Sequence, residues 1–131
     1  TPPLFEAFVK KLVSSVQARP AIWAQTAILV TYDEAGGYFD SGYIQPIDFF
    51  GSGPRTVMIA VSPYAEQGFV DHTYADHASI LKFIEWNWGL PPLSERSRDN
   101  LPNPISDPSA PYFPINAPAV GDLTTLFRFR E

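Results

Sequence analysis

Two apolar runs of strand length constrain the fold of this 131-residue chain more than any other feature. They extend from about Thr26 to Tyr32 and from Arg55 to Ser62, and their apolar residues stand at consecutive positions. Such runs are typical of strands buried on both faces, as parallel strands in α/β proteins are. Two central strands alone would leave the hydrogen-bonding edges of their sheet exposed. We therefore expect the chain to be part of a larger α/β body.

Helical periodicity flanks these runs. From Leu4 to Gln17 apolar residues recur at every fourth position, which predicts an amphipathic helix that ends before Pro20. A second helix is predicted from Asp76 to Trp88, with Asp76 as its N-cap. The segment from Leu93 to Val120 is rich in Pro, Ser, Asn and Asp and predicts a long surface loop. Loops of this length are uncommon in small domains, which again favours a larger body.

Composition excludes several classes of protein. The chain has 9 basic and 14 acidic residues, a formal charge of −5, and no basic stripe, which argues against a nucleic-acid partner. It has no cysteine, so disulfides, thiolate zinc sites and cysteine nucleophiles are excluded. No apolar segment approaches the roughly 18 residues of a transmembrane span, and no signal peptide is recognised.

The first strand ends at two adjacent carboxylates, Asp33 and Glu34, followed by Gly36 and Gly37. Ligands of parallel α/β sheets bind beyond the carboxyl ends of the strands. Neighbouring like charges repel each other, and a hard metal ion between them would remove the repulsion. The alternative is a local Asx-turn or N-cap in which Glu34 is simply solvated.

Both histidines of the chain follow aspartates. His72 comes after Asp71, and His77 comes after Asp76 in the first turn of the predicted second helix. Imidazole beside carboxylate suits a metal ligand with a supporting partner or a general acid. A helix N-terminus also favours an anion such as phosphate. The alternative is that Asp76 is an ordinary N-cap and the histidines are surface residues.

Four segments together resemble a known family. In chain order they read ILVTYDEAGGYFD, GPRTVMIAVSPYA, HTYADHASILKFIEWNWGLPPLSERS and GDLTTLF. They are similar to the carboxyl-terminal half of the bacterial phosphoesterase family, which includes the non-zinc phospholipases C and the respiratory-burst-inhibiting acid phosphatases. The resemblance extends from about Thr26 to Phe127.

The resemblance implies an α/β fold that is part of an alkaline-phosphatase-like sandwich, with a mostly parallel sheet flanked by helices. It implies metal-assisted hydrolysis of phosphomonoesters or phosphodiesters, phospholipids among them. Asp33 and Glu34 would hold a divalent metal ion, either calcium, magnesium or a transition metal. His77 first and His72 second, with Asp76 beside them, would bind the phosphoryl oxygens or protonate the leaving group. The family also implies a secreted or periplasmic protein.

The chain departs from the family pattern in two places. Asp40 is followed by Ser41, where the family carries a histidine, so a role for Asp40 in the site is doubtful. The family's Glu-Asn metal motif and hydroxyl nucleophile have no counterpart in residues 1–131. We therefore expect either a single domain or the carboxyl-terminal part of a larger phosphoesterase domain. Its partner would be the missing amino-terminal part or a second copy. The alternative function is a non-catalytic fragment or a binding or assembly module that retains the fold.

Overall fold

The computed structural model describes residues 2–110 and 113–129. Three helices and two strands follow one another in the order α1 (Pro2–Gln17), α2 (Pro20–Trp23), β1 (Ile28–Thr31), β2 (Met58–Val61) and α3 (Ala78–Trp88). Two short 3₁₀ turns come later, at Arg98–Asn100 and Thr124–Leu126. No helix in the described residues combines the length and the apolar character that crossing a membrane requires.

The strands β1 and β2 pair antiparallel, with Ile28 opposite Val61 and Thr31 opposite Met58. The prediction of two parallel strands is therefore wrong for this pair. A parallel pair needs a crossover, usually through a helix, that returns the chain to the starting edge. Residues 32–57 contain no helix and fold beyond the end of β1, so the chain re-enters the sheet in the opposite direction. The mostly parallel sandwich would need strands from outside this chain and stays a prediction.

The core lies between the sheet, α3 and the last 3₁₀ turn. Phe83 of α3 packs with Leu123 and Phe127, and the rings of Phe83 and Phe127 stack with their centroids 5.0 Å apart. Leu29 of β1 and Met58 of β2 cover this cluster from the sheet. Among the described residues the core is small, because a two-stranded sheet with the residues just after it, one helix and the segment around the last 3₁₀ turn form it.

The two predicted helices are present. α3 ends at Gly89, which takes the left-handed conformation that glycine adopts without strain (φ 63°) and is followed by a bond from the Leu90 N–H to the Glu85 carbonyl. The apolar stripe of α1 is largely uncovered, since Leu4 is 70% and Phe8 63% exposed. An amphipathic helix gains most of its stability by burying this stripe. Its exposure agrees with the expectation of a larger body.

The proline-rich segment has a buried end. Where described, residues 93–120 contain one 3₁₀ turn and no helix or strand, while Pro111 and Tyr112 lie outside the described residues. Ala119 and Val120 are fully buried. The Gln45 side chain, also fully buried, donates to the Ala119 carbonyl at 2.8 Å and accepts from the Ala119 N–H at 2.7 Å.

Lys82 of α3 donates to the carbonyls of Leu101 and Val120, both at 2.6 Å. The segment is thus fastened to α3 and to the loop before β2. Its assignment as a surface loop of a single or larger domain stays a prediction.

Helix α3 buries a carboxyl group at Glu85. Glu85 is 7% exposed, and its Oε1 atom has no hydrogen-bond partner among the residues described. Burial raises the pKa of this carboxyl, and the charge of Asp99 raises it further, against an opposing effect of Lys82. A carboxyl with a raised folded-state pKa contributes stability that is complete below its unfolded pKa of about 4.3. That contribution is lost as the pH rises through the folded-state pKa.

We therefore expect Glu85→Gln to gain stability over the wild type as the pH rises from about 4 to about 8. Urea unfolding of the protein carrying this chain, repeated across that pH range, measures the difference. Glu95→Gln changes an exposed carboxylate on the neighbouring loop and serves as the control. If the free energies of unfolding of Glu85→Gln and the wild type differ by the same amount at every pH, the raised pKa of Glu85 is contradicted.

Candidate functional site

His77 joins the first turn of α3 to the end of β1. Its Nε2 atom lies 2.8 Å from the carbonyl oxygen of Tyr32. Because a carbonyl only accepts, Nε2 carries the proton of this bond, and Nδ1 is the acceptor nitrogen of the neutral ring. Tyr32 directly precedes Asp33, so the bond brings the imidazole to the strand end that carries the two carboxylates.

Asp33 and Glu34 are exposed at that strand end. The Asp33 carboxylate accepts from the Glu34 N–H at 3.0 Å, a bond between neighbouring residues and not the Asx-turn to the second residue on. Both residues also line a cleft of about 1610 Å³ together with His72, Asp76 and His77. All of the site residues predicted from the sequence therefore border one cleft, and their individual roles stay predictions.

Asp33 and Glu34 do not by themselves supply all the ligands that a metal ion needs. Carboxylate oxygens suit hard cations such as calcium or magnesium, which take six or more ligands. Within residues 2–110 and 113–129 no three histidine or acidic side chains converge on one point that would hold a metal ion. Asp33 and Glu34 thus fit a divalent metal by donor type, but further ligands would have to come from elsewhere.

Asp76 caps α3. Its carboxylate accepts from the Ala78 N–H at 2.7 Å, and its own N–H donates to the Ser79 hydroxyl at 3.0 Å. This reciprocal arrangement satisfies backbone groups that a helix start leaves open. His77 is the residue directly before α3 and makes no capping bond with its own side chain. The capping bonds come from Asp76, one position earlier, and fix the backbone from which His77 projects. A direct part for Asp76 in catalysis stays a prediction.

His72 is exposed in the loop that precedes α3. Its neighbour Asp71 accepts from the Thr73 N–H at 2.9 Å and from the hydroxyl of Thr125, in the last 3₁₀ turn. Asp71 therefore anchors this loop to the end of the chain and holds His72 at the cleft.

Asp40 forms an ion pair with Arg55. The Arg55 guanidinium donates to both oxygens of its carboxylate, at 2.8 and 2.7 Å, and the backbone N–H groups of Arg55 and Gly42 donate as well. The hydrogen bonds from the Arg55 side chain hold the pKa of Asp40 well below its usual range. A Cβ atom at Gly42 would meet the guanidinium, so glycine leaves the space that Arg55 occupies. This structural role agrees with the doubt about Asp40 as a site residue.

Arg98 is a cleft residue that the sequence analysis missed. Its guanidinium donates to Asp48 at 2.8 Å and to the Gly51 carbonyl at 2.6 Å, and lies 3.4 Å from the Asp76 carboxylate. It therefore ties the loop before β2 to the start of α3. An arginine within a proline-rich segment carries no local signal of its partners, which lie 50 and 22 residues away.

The sequence model of the Phosphoesterase family matches residues 4–91. The chain is 28% identical to a non-hemolytic phospholipase C of Burkholderia pseudomallei, over 93% of this chain and 19% of that protein. It is 26% identical to a hemolytic phospholipase C of Pseudomonas aeruginosa, over 98% and 18% respectively. It is 30% identical to phospholipase C B of Mycobacterium tuberculosis strain H37Rv, over 86% and 23% respectively.

The chain thus spans about a fifth of the length of the curated relatives that it matches. No solved structure gives a significant match. The family match covers well over half of the chain and includes the strand end with its two carboxylates and the whole of α3. The chain belongs to the phosphoesterase family.

Proposed function

We propose that this chain is part of a hydrolase that cleaves phosphate esters with the help of a divalent metal ion. The observation that carries the proposal is the 2.8 Å bond from His77 to the carbonyl that directly precedes Asp33. It places an imidazole at the strand end that carries a carboxylate pair, and all three side chains line one cleft in a chain of the phosphoesterase family. Relatives named phospholipase C favour phosphodiesters, phospholipids included, as substrates.

Each residue has a proposed part. Asp33 and Glu34 bind the metal ion, which when bound neutralises negative charge on the phosphoryl group. His77, held through Nε2, donates from Nδ1 to a phosphoryl oxygen or to the leaving oxygen when Nδ1 also carries a proton. His72 supports the same anion from the loop that precedes α3. Asp76 keeps the His77 backbone in place.

The remaining parts of the machinery are proposed to lie outside this chain. Calcium and magnesium need more ligands than two carboxylates supply. No serine or threonine of this chain matches the family's hydroxyl nucleophile, and the relatives are about five times longer. The missing part of the same protein is therefore the partner that we propose. Export to the periplasm or the medium stays a prediction from the family.

The acidic pair provides the test of this function. We expect Asp33→Asn to abolish stabilisation by added calcium, magnesium or manganese, because the metal loses one of its two ligands from this chain. At a free metal concentration of 100 times Kd, the wild-type protein should gain about 2.7 kcal/mol, and the variant close to none. Thermal melts with and without each metal measure this, alongside turnover of a chromogenic phosphodiester.

Glu6→Gln removes an exposed carboxylate on α1 and is the matched control. If metal stabilises the wild type and Asp33→Asn equally, the assignment of the acidic pair is wrong.

The uncovered stripe of α1 favours a second candidate, an assembly module without chemistry of its own. That candidate predicts a melting temperature that rises with protein concentration and no metal-dependent turnover. A concentration-independent melt together with turnover excludes it.

A further inference from the structure

Four aromatic side chains stand almost entirely in solvent beside the cleft. Tyr38 and Phe39 are 82% and 93% exposed, and Phe49 and Phe50 are 97% and 89% exposed. Phe49 and Phe50 lie in a turn, and Tyr38 and Phe39 directly follow the turn at residues 36–37. Gly37, just before the first pair, and Gly51, just after the second, both line the cleft. Each pair is therefore next in sequence to a residue that lines the candidate site, and Tyr38 and Phe39 themselves line a smaller neighbouring cavity.

The turn that carries the second pair is braced. One oxygen of the Asp48 carboxylate accepts from the N–H groups of Phe50 and Gly51, at 2.9 and 3.0 Å. Arg98 donates to the other oxygen at 2.8 Å and to the Gly51 carbonyl at 2.6 Å. The hydrogen bond from Arg98 lowers the pKa of Asp48, so this brace stays charged over a wide pH range. Because these hydrogen bonds fix the backbone of the turn, both rings stay exposed and do not fold into the cleft.

Exposure of this kind is energetically unfavourable in water. Burying one phenylalanine side chain stabilises by about 1.5–3 kcal/mol. Phe49 and Phe50 contact each other edge to face, with centroids 5.5 Å apart, yet remain open to solvent on their outer sides. Aromatic rings on a rigid turn are suited to the boundary between lipid headgroups and acyl chains.

The charged residues near these rings favour one kind of lipid surface. Residues 36–55 contain one basic residue, Arg55, and it is paired with Asp40. Arg98, which braces the second turn, is paired with Asp48. Attraction to anionic lipids needs a surplus of Lys and Arg near the surface, and these turns have none. A zwitterionic surface is therefore the favoured occupant.

We propose that the loop segments Tyr38–Phe39 and Phe49–Phe50 insert into a zwitterionic phospholipid surface and bring the cleft to the lipid phosphodiesters. This inference rests on the proposed function, since it names the form in which that site meets its substrate. It differs from the situation at α1. There the exposed residues form a continuous helix stripe, as helices that pack against another part of the protein do. Here the exposed rings lie on two loop segments next to residues that line the cleft.

The test uses the full-length protein that carries this chain and vesicles of phosphatidylcholine. We expect the double variant Phe49→Ser/Phe50→Ser to lower partitioning onto the vesicles at least about tenfold in a sedimentation assay. Its melting temperature and its turnover of a water-soluble phosphodiester should match the wild type. The double variant Leu93→Ser/Ile115→Ser removes two exposed apolar side chains that do not line the cleft and should leave partitioning unchanged.

Three results would overturn the proposal. One is unchanged partitioning in Phe49→Ser/Phe50→Ser, or an equal loss in the control variant. Another is wild-type binding that requires phosphatidylglycerol in the vesicles. The third is a melting temperature several degrees lower in the variant, which would mean that the rings pack against the rest of the protein. The wild type could also bind vesicles through these rings and yet hydrolyse no phosphate ester. That result would support binding to a lipid surface and reject the proposed function.

Discussion

Replacing His77 with alanine is expected to lower kcat/KM for a phosphodiester by about 10²- to 10⁴-fold, the range that general acid–base catalysis contributes. The imidazole lies 2.8 Å from the Tyr32 carbonyl at the strand end that carries the carboxylate pair. Its loss removes the proposed proton donor without removing a metal ligand. Steady-state kinetics of the full-length protein, with saturating metal, measure the effect.

Two further variants separate proton transfer from positioning. His77→Gln keeps a side-chain N–H able to reach the Tyr32 carbonyl but does not titrate near neutral pH, so it should be as slow as His77→Ala. His72→Ala should cause the smaller loss, since His72 is the second candidate. Stabilisation by metal should persist in all three variants. Recovery of wild-type turnover in His77→Gln would reduce His77 to a structural link between α3 and β1.

Replacing Gln45 with methionine is expected to destabilise the folded protein by about 3 kcal/mol, because a buried backbone group left without a partner costs about 1–3 kcal/mol. Gln45 bonds both the N–H and the carbonyl of Ala119, and both residues are fully buried. Methionine keeps the length and most of the volume of the side chain but offers neither strong bond. The variant therefore isolates the hydrogen bonds from the packing.

Urea unfolding of the full-length protein measures this difference, and Gln67→Met at an exposed position provides the baseline for the same substitution. We expect the baseline change to stay within about 0.5 kcal/mol. Equal effects at the two positions would mean that Gln45 does not hold the end of the proline-rich segment.

The local elements of this chain could be read from its sequence. The recurrence of apolar residues at every fourth position predicted α1. Helical spacing and the terminal Gly89 predicted α3, whose observed start lies two residues after the predicted one. Both apolar runs contain a strand, although each strand is shorter than its run. The capping role of Asp76 was also predicted, because capping depends on residues only two or three positions away.

The candidate site was predictable only as two separate halves. The carboxylate pair at a strand end and the histidine at a helix start each had a local signal. Their meeting depends on a bond between residues 45 positions apart. Arg98 was missed for the same reason, since its partner Asp48 lies 50 positions away.

By itself, then, the sequence determined the helices, the approximate strands and the chemistry available at their ends, because periodicity and capping act over a few residues. The tertiary structure decided the antiparallel direction of β2, the anchoring of Ala119 by Gln45 across 74 positions and the brace around Asp48. A glutamine or an arginine specifies what it can donate and accept, but its partner is set by which segments the fold brings within about 3 Å.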